Sequence, residues 1–252
     1  MHSREDACCT QAVMDGGRRA VVKSALGLVT MAAVGALPWA LPGLAEAAAL
    51  TKEQRDSMTP DQVIVMLKEG NARFLAGKTQ THDYLAQKRA SVGGQYPAAV
   101  ILSCIDSRAP AEIILDTGIG DTFNARVAGN IANDDLIGSL EFACALAGSK
   151  VVLVMGHTAC GAIKGAIDNA KLGNLTGLLD KIKPAVAATR YSGERTSKND
   201  AFVDAVATTN VRMTMDEIRK RSEVLAGLEK DGKIKIVGAM YYLAGGKVEF
   251  LA

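Results

Sequence analysis

Net charge is what this sequence has least of, and the shortage is informative. Its 29 Lys and Arg residues stand against 27 Asp and Glu, leaving +2 at neutral pH. The balance holds locally at the N-terminus, where Arg4, Arg18, Arg19 and Lys23 are offset by Glu5, Asp6, Asp15 and Glu46. A protein that grips nucleic acid carries a basic stripe or patch, so nucleic acid is excluded as a partner. Cysteine is also scarce: Cys8, Cys9, Cys104, Cys144 and Cys160 make five in 252 residues. They lack the dense, regular spacing of a disulfide framework, and no C-x-x-C pair is present for thiol redox chemistry. No internal repeat occurs, which excludes a solenoid. What remains, 48% hydrophobic and 22% charged residues, is the balance of an ordinary globular chain.

The long apolar stretch lies at the start. Residues 1–19 are polar and end in Arg18-Arg19; Ala20 to Leu44 follows with Lys23 as its only charge, then small-residue A-x-A sites at Ala45–Ala47 and Ala47–Ala49. A charged n-region, an apolar h-region and a small-residue cleavage site make residues 1–49 a secretory signal, and the paired arginines resemble the twin-arginine type. The expectation is a periplasmic or otherwise exported protein with no stable membrane association after cleavage. An uncleaved anchor is the alternative, although Pro38 and Pro42 would interrupt its helix. Cys8 and Cys9 fall upstream of any cleavage.

Residues 50–252 read as one α/β domain. Val63, Ile64, Leu67, Phe74 and Leu75 recur at helical spacing within Thr59–Ala76, with Thr59 as cap and Pro60 at the first helical position. Ala98–Ser103 and Lys150–Met155 are apolar runs of strand length, and Thr122–Ala128 and Lys233–Met240 are further strand candidates. Helical patterns at Asp135–Ala147, Ala159–Ala170 and Val211–Leu228 alternate with them. This alternation predicts a mostly parallel central sheet flanked by helices. Residues 190–200 are polar and unpatterned, a surface loop.

Both of the clearest strands run into metal-type residues: the first into Cys104, the second through Gly156 into His157 and Cys160. The crevice beyond the carboxyl ends of parallel strands is where ligands bind. Two sulfurs and one imidazole suit zinc, and three protein ligands leave a tetrahedral position for water. Asp106 and Arg108, just after the first sulfur, are close enough in sequence to pair beside the ion. A structural zinc site with Asp106 closing the shell stays open on these residues alone, as does a thiol redox pair of Cys104 and Cys160.

The motifs Cys104-Ile-Asp-Ser-Arg108 and Gly156-His-Thr-Ala-Cys-Gly161 resemble the paired signatures of β-class carbonic anhydrases. The resemblance extends over residues 60–252, through Gly120–Asn130 and the C-terminal Gly238–Leu251. It implies zinc held by Cys104, His157 and Cys160, with a zinc-bound hydroxide attacking carbon dioxide to give bicarbonate. Asp106, paired with Arg108, would orient that hydroxide; in a closed state Asp106 would take the fourth zinc position. Gln95, nine residues before Cys104, resembles the substrate-orienting glutamine of the plant-like subgroup. Phe123 and Phe142 fall at aromatic positions near the pocket, and Gly161 would let the backbone pass close to the metal loop. An obligate dimer with sites near its interface is also implied, the leading helix wrapping the partner. Asn124 and Val127 depart from the family pattern. His82 reads as a surface histidine, Cys144 as a small core residue and Lys150 as a strand-edge charge.

Overall fold

A computed structural model describes residues 49–251. The residues assigned to an export signal, 1–49, lie outside that range but for Ala49. Among the described residues, no helix is long and apolar enough to cross a membrane.

The apolar runs become the sheet. Its strands are β1 (Ala99–Ser103), β2 (Thr122–Arg126), β3 (Val151–His157), β4 (Lys235–Tyr241) and β5 (Val248–Phe250), in the spatial order β2-β1-β3-β4-β5. The first four are mutually parallel and β5 returns antiparallel along β4. Every residue of β1 and β3 is buried. Val100, Leu102, Val152 and Val154 face one core, while Ala99, Ile101, Val151, Leu153 and Met155 face the other. Burial on both faces is why these strands read as unbroken apolar runs. Each fully buried Val, Leu or Ile contributes roughly 1.5–3 kcal/mol.

Helices α1 (Lys52–Ser57) and α2 (Pro60–Leu75) each open on a capping box, Thr51 with Gln54 and Thr59 with Gln62. α2 matches the expected leading helix; Val63 and Leu67 are buried, and Gly70 admits the Leu115 carbonyl so closely that no Cβ would fit. Next come α3 (Tyr84–Ser91), α4 (Ala111–Ile114) and α5 (Asp134–Glu141), which continues as a π turn over Phe142–Leu146. The remainder are α6 (Gly161–Ile167), α7 (Gly173–Asp180), α8 (Lys183–Ala188), α9 (Asp200–Arg221) and α10 (Glu223–Lys230).

Several elements differ from expectation for local reasons. The single helix read over Val211–Leu228 is two, α9 beginning at the Asn199 cap and α10 after Ser222. Ser222 is buried and extended; its hydroxyl accepts from the Leu225 N–H and donates to Glu141. A serine that caps a new helix competes with continuing the old one. The helix read over Ala159–Ala170 shrinks to α6 because Ala159 and Asn169 are both left-handed, with φ of 53° and 52°. His82 is not a surface residue: its side chain is 8% exposed, with Nε2 3.2 Å from Asp116 Oδ1 and Nδ1 3.3 Å from Gln87. Cys144 is buried as read, its thiol pushed up to about 12 by that burial.

Candidate metal centre

The sheet assembles the site by register. Ser103 of β1 pairs with Met155 of β3, so Cys104, just past the end of β1, and His157, the last residue of β3, come close together at one end of the sheet. The ligand atoms of Cys104, His157 and Cys160 all lie within 4.8 Å of one another, and all three residues are buried. The two sulfurs are 4.0 Å apart; sulfurs bound at 2.3 Å to a tetrahedral ion stand about 3.8 Å apart. His157 Nδ1 lies 2.9 Å from the Thr158 carbonyl, to which its N–H donates, directing the Nε2 lone pair inward. That Nε2 is buried with no hydrogen-bond partner. An orphaned imidazole nitrogen facing two sulfurs fits zinc, and is costly for a site meant to hold none.

The charges fit as well. The Cys104 thiol is held well below its ordinary range, first by the Cys160 thiol and then by His157 and the Gly129 N–H, 3.3 Å from the sulfur. Cys160 moves up in response, through Cys104 and then burial. A dication removes this opposition, since it stabilises both thiolates. Burial disfavours charge on His157, but Cys104 and Asp106 outweigh it and raise the imidazole.

Asp106 stands beside this cluster without joining it. Arg108 Nη2 donates to its Oδ2 at 2.8 Å, and Arg108 Nε and backbone N–H donate to its Oδ1 at 3.0 and 2.9 Å. These bonds hold the carboxyl well below the usual carboxylate range. Its Oδ2 is 3.8 Å from His157 Nε2. Arg126, at the end of β2, clamps the loop by donating Nε to the Cys104 carbonyl at 2.8 Å and Nη2 to the Asp106 carbonyl at 2.6 Å. The second metal loop is tied through Ala159, whose N–H donates to Asp204 Oδ1 at 2.9 Å, and through Thr158 Oγ1, which accepts from the Leu243 N–H at 3.0 Å.

Over residues 99–248 the chain matches the model of the family described as carbonic anhydrase. It is 36% identical over 187 residues to carbonic anhydrase 2 of Mycobacterium tuberculosis, covering 72% of this chain and 87% of that one. Carbonic anhydrase of Mycolicibacterium smegmatis is 34% identical over 189 residues, with 73% and 89% covered. The chain belongs to the β-class carbonic anhydrase family. Its fold agrees: the crystal structure of the β-carbonic anhydrase CafA of Aspergillus fumigatus superposes with a TM-score of 0.59 at 26% identity, over 76% of this chain and 89% of that one.

The substrate-side residues read from the sequence do not join the metal cluster within one chain of this family member. Gln95 is exposed in the loop before β1, in a groove with Leu50, Tyr96 and Gly120. The whole of β1, on the order of 16 Å, separates it from Cys104. Phe123 sits level with Val100 and packs edge-on against Phe142 at 6.1 Å, in a hollow beside the edge strand. Gly161 follows Cys160 at the start of α6, but its backbone is not left-handed and a Cβ there would meet open space. The close-approach reason for that glycine is therefore corrected; Gly129 is the glycine that needs to be one, since it has φ +70° and its Cβ would come within 2.5 Å of Ile182. Arg126 and Gly129 fall within a stretch already read as family-like, yet nothing local marked their roles. Asp204 and Asn210 fell outside the expected helix altogether.

Proposed function

We propose that this chain is an exported, zinc-dependent carbonic anhydrase of the plant-like subgroup, catalysing reversible hydration of carbon dioxide to bicarbonate and a proton. The observation that carries the reading is the bare, buried Nε2 of His157 facing two sulfurs, with a carboxylate alongside that is occupied by arginine. Cys104, His157 and Cys160 would hold zinc, which would supply a Lewis acid able to ionise water near pH 7. Asp106 Oδ2 accepts a hydrogen bond from the attacking water and so fixes its orientation. Arg108 holds that carboxylate through three hydrogen bonds; Asp106 would have to lose them before it could serve as a metal ligand itself. This favours an open catalytic centre over a closed structural one.

Gln95 and Phe123 are assigned to the carbon dioxide side across an interface between two copies, since neither joins the metal cluster of its own chain. Support comes from β2, which among the described residues is an edge strand with every residue partly exposed, and from Phe142, which is 49% exposed. The export reading rests on Arg18-Arg19, the apolar Ala20–Leu44 stretch and the A-x-A sites, and N-terminal sequencing of the secreted protein checks it. Stopped-flow hydration of carbon dioxide is the test of function: activity should vanish with a chelator and return with zinc. A fully zinc-loaded protein without hydration activity would overturn the assignment.

A further inference from the structure

Asn210 is out of place by polarity. It sits in the middle of α9 at 3% exposure, between the buried Val206, Ala207 and Val211. A buried amide is retained where its hydrogen bonds matter. Its Nδ2 donates to the Gly129 carbonyl at 2.8 Å across 81 residues of sequence. Gly129 in turn directs its N–H at the Cys104 sulfur, 3.3 Å away.

We infer that Asn210 is a positioning residue for the metal centre, acting on the Cys104 sulfur through Gly129. The turn it holds is one that needs holding. Gly129 and Asn130 are successive left-handed residues, with φ of 70° and 43°, and the turn's own backbone bond runs from the Asn130 N–H to the Val127 carbonyl. A left-handed asparagine is tolerated but not favoured. Ile182 and Ala162 crowd the position from one side, and Asn210 anchors it from α9. Fixed in this way, the Gly129 N–H reaches the sulfur in one geometry, disperses part of its negative charge and sets its direction toward the ion. Outer partners of metal ligands commonly tune affinity 10- to 100-fold; one acting through a backbone turn is expected at the lower end.

The inference rests on the zinc reading, and its test separates the two. Zinc affinity is measured by competition with a chromophoric chelator, and the cobalt-substituted protein is examined for its sulfur-to-cobalt absorption band. Asn210→Leu, similar in size but without a donor, should bind zinc about tenfold more weakly and shift the band. Thr214→Val, a turn further along α9, should leave both unchanged. Folded Asn210→Leu with wild-type affinity and an unmoved band would overturn the role of Asn210. A wild-type chain that binds no zinc would instead overturn the metal site itself. If Asn210→Leu does not fold, Asn210→Ala, which removes the donor without adding a charge, takes its place, and wild-type affinity there overturns the proposal equally.

Discussion

Cys104, His157 and Cys160 each need only be carried to the end of a strand, and neighbouring strands then bring them together. That is why they were legible: the chemistry was local, and the sheet supplied the meeting. Removing one leaves two donors, too few to hold zinc at low free concentrations. Elemental analysis of Cys160→Ala or His157→Ala should find the metal lost, and unchanged zinc in either would break the ligand assignment. Asp106 and Arg108 were legible for the same reason, being two residues apart. Asp106→Asn and Arg108→Ala should retain zinc while hydration falls by roughly 10²- to 10⁴-fold, because water then lacks its oriented acceptor. Near-normal rates with zinc retained would remove the pair from the reaction. Gln95 came from resemblance alone, and single-chain geometry keeps it away from the metal donors. Asp204 and Asn210 gave no local signal, since each bonds a backbone group 45 or 81 residues away.

Among the elements, buried strands announced themselves through valine-rich runs, but their order did not, because periodicity carries no information about which strand lies beside which. Helix ends were the least legible, being decided by side chains such as Ser222 and by left-handed residues such as Ala159. The junction of α9, α10 and β4 depends on Glu229. Arg219 Nε and Nη2 donate to its carboxylate at 2.8 and 2.9 Å, and the Ile236 N–H donates at 3.1 Å. Burial alone would raise this carboxyl, yet these donors outweigh it and lower it. A carboxyl lowered on folding stabilises the fold fully above its unfolded value, about 4.3, and ceases to do so as pH falls through the folded value. Both side chains are partly exposed, at 33% and 26%, so screening limits the contribution to about 1 kcal/mol. Urea unfolding should therefore show Glu229→Gln weaker than wild type at pH 7, with the difference closing below about pH 4. A difference that persists or widens in acid would contradict the ion-pair account.

At the scale of the whole molecule, the balance of charge leaves apolar surface as the means of association. β2 is an edge strand with every residue partly exposed, and an open edge beside a hollow is a template for another chain. Phe123, Leu136 and Phe142 line that hollow, and Leu146, in the same π turn as Phe142, is 79% exposed. Aromatic side chains of this kind anchor interfaces by filling a partner's pocket. A twofold pair is the simplest assembly that covers the surface on both copies at once, because each presents the same patch. It would also give Gln95 and Phe123 a metal centre to serve. Sedimentation of the mature protein should thus give a dimer or a higher even oligomer. Phe142→Asp, which places a charge in the hollow without touching a metal donor, should shift it toward monomer. Zinc content should survive that change, since all three ligands come from one chain, whereas hydration should fall with dissociation. A fully active monomer, wild-type or variant, would show that each chain completes its own site and would return Gln95 to the surface.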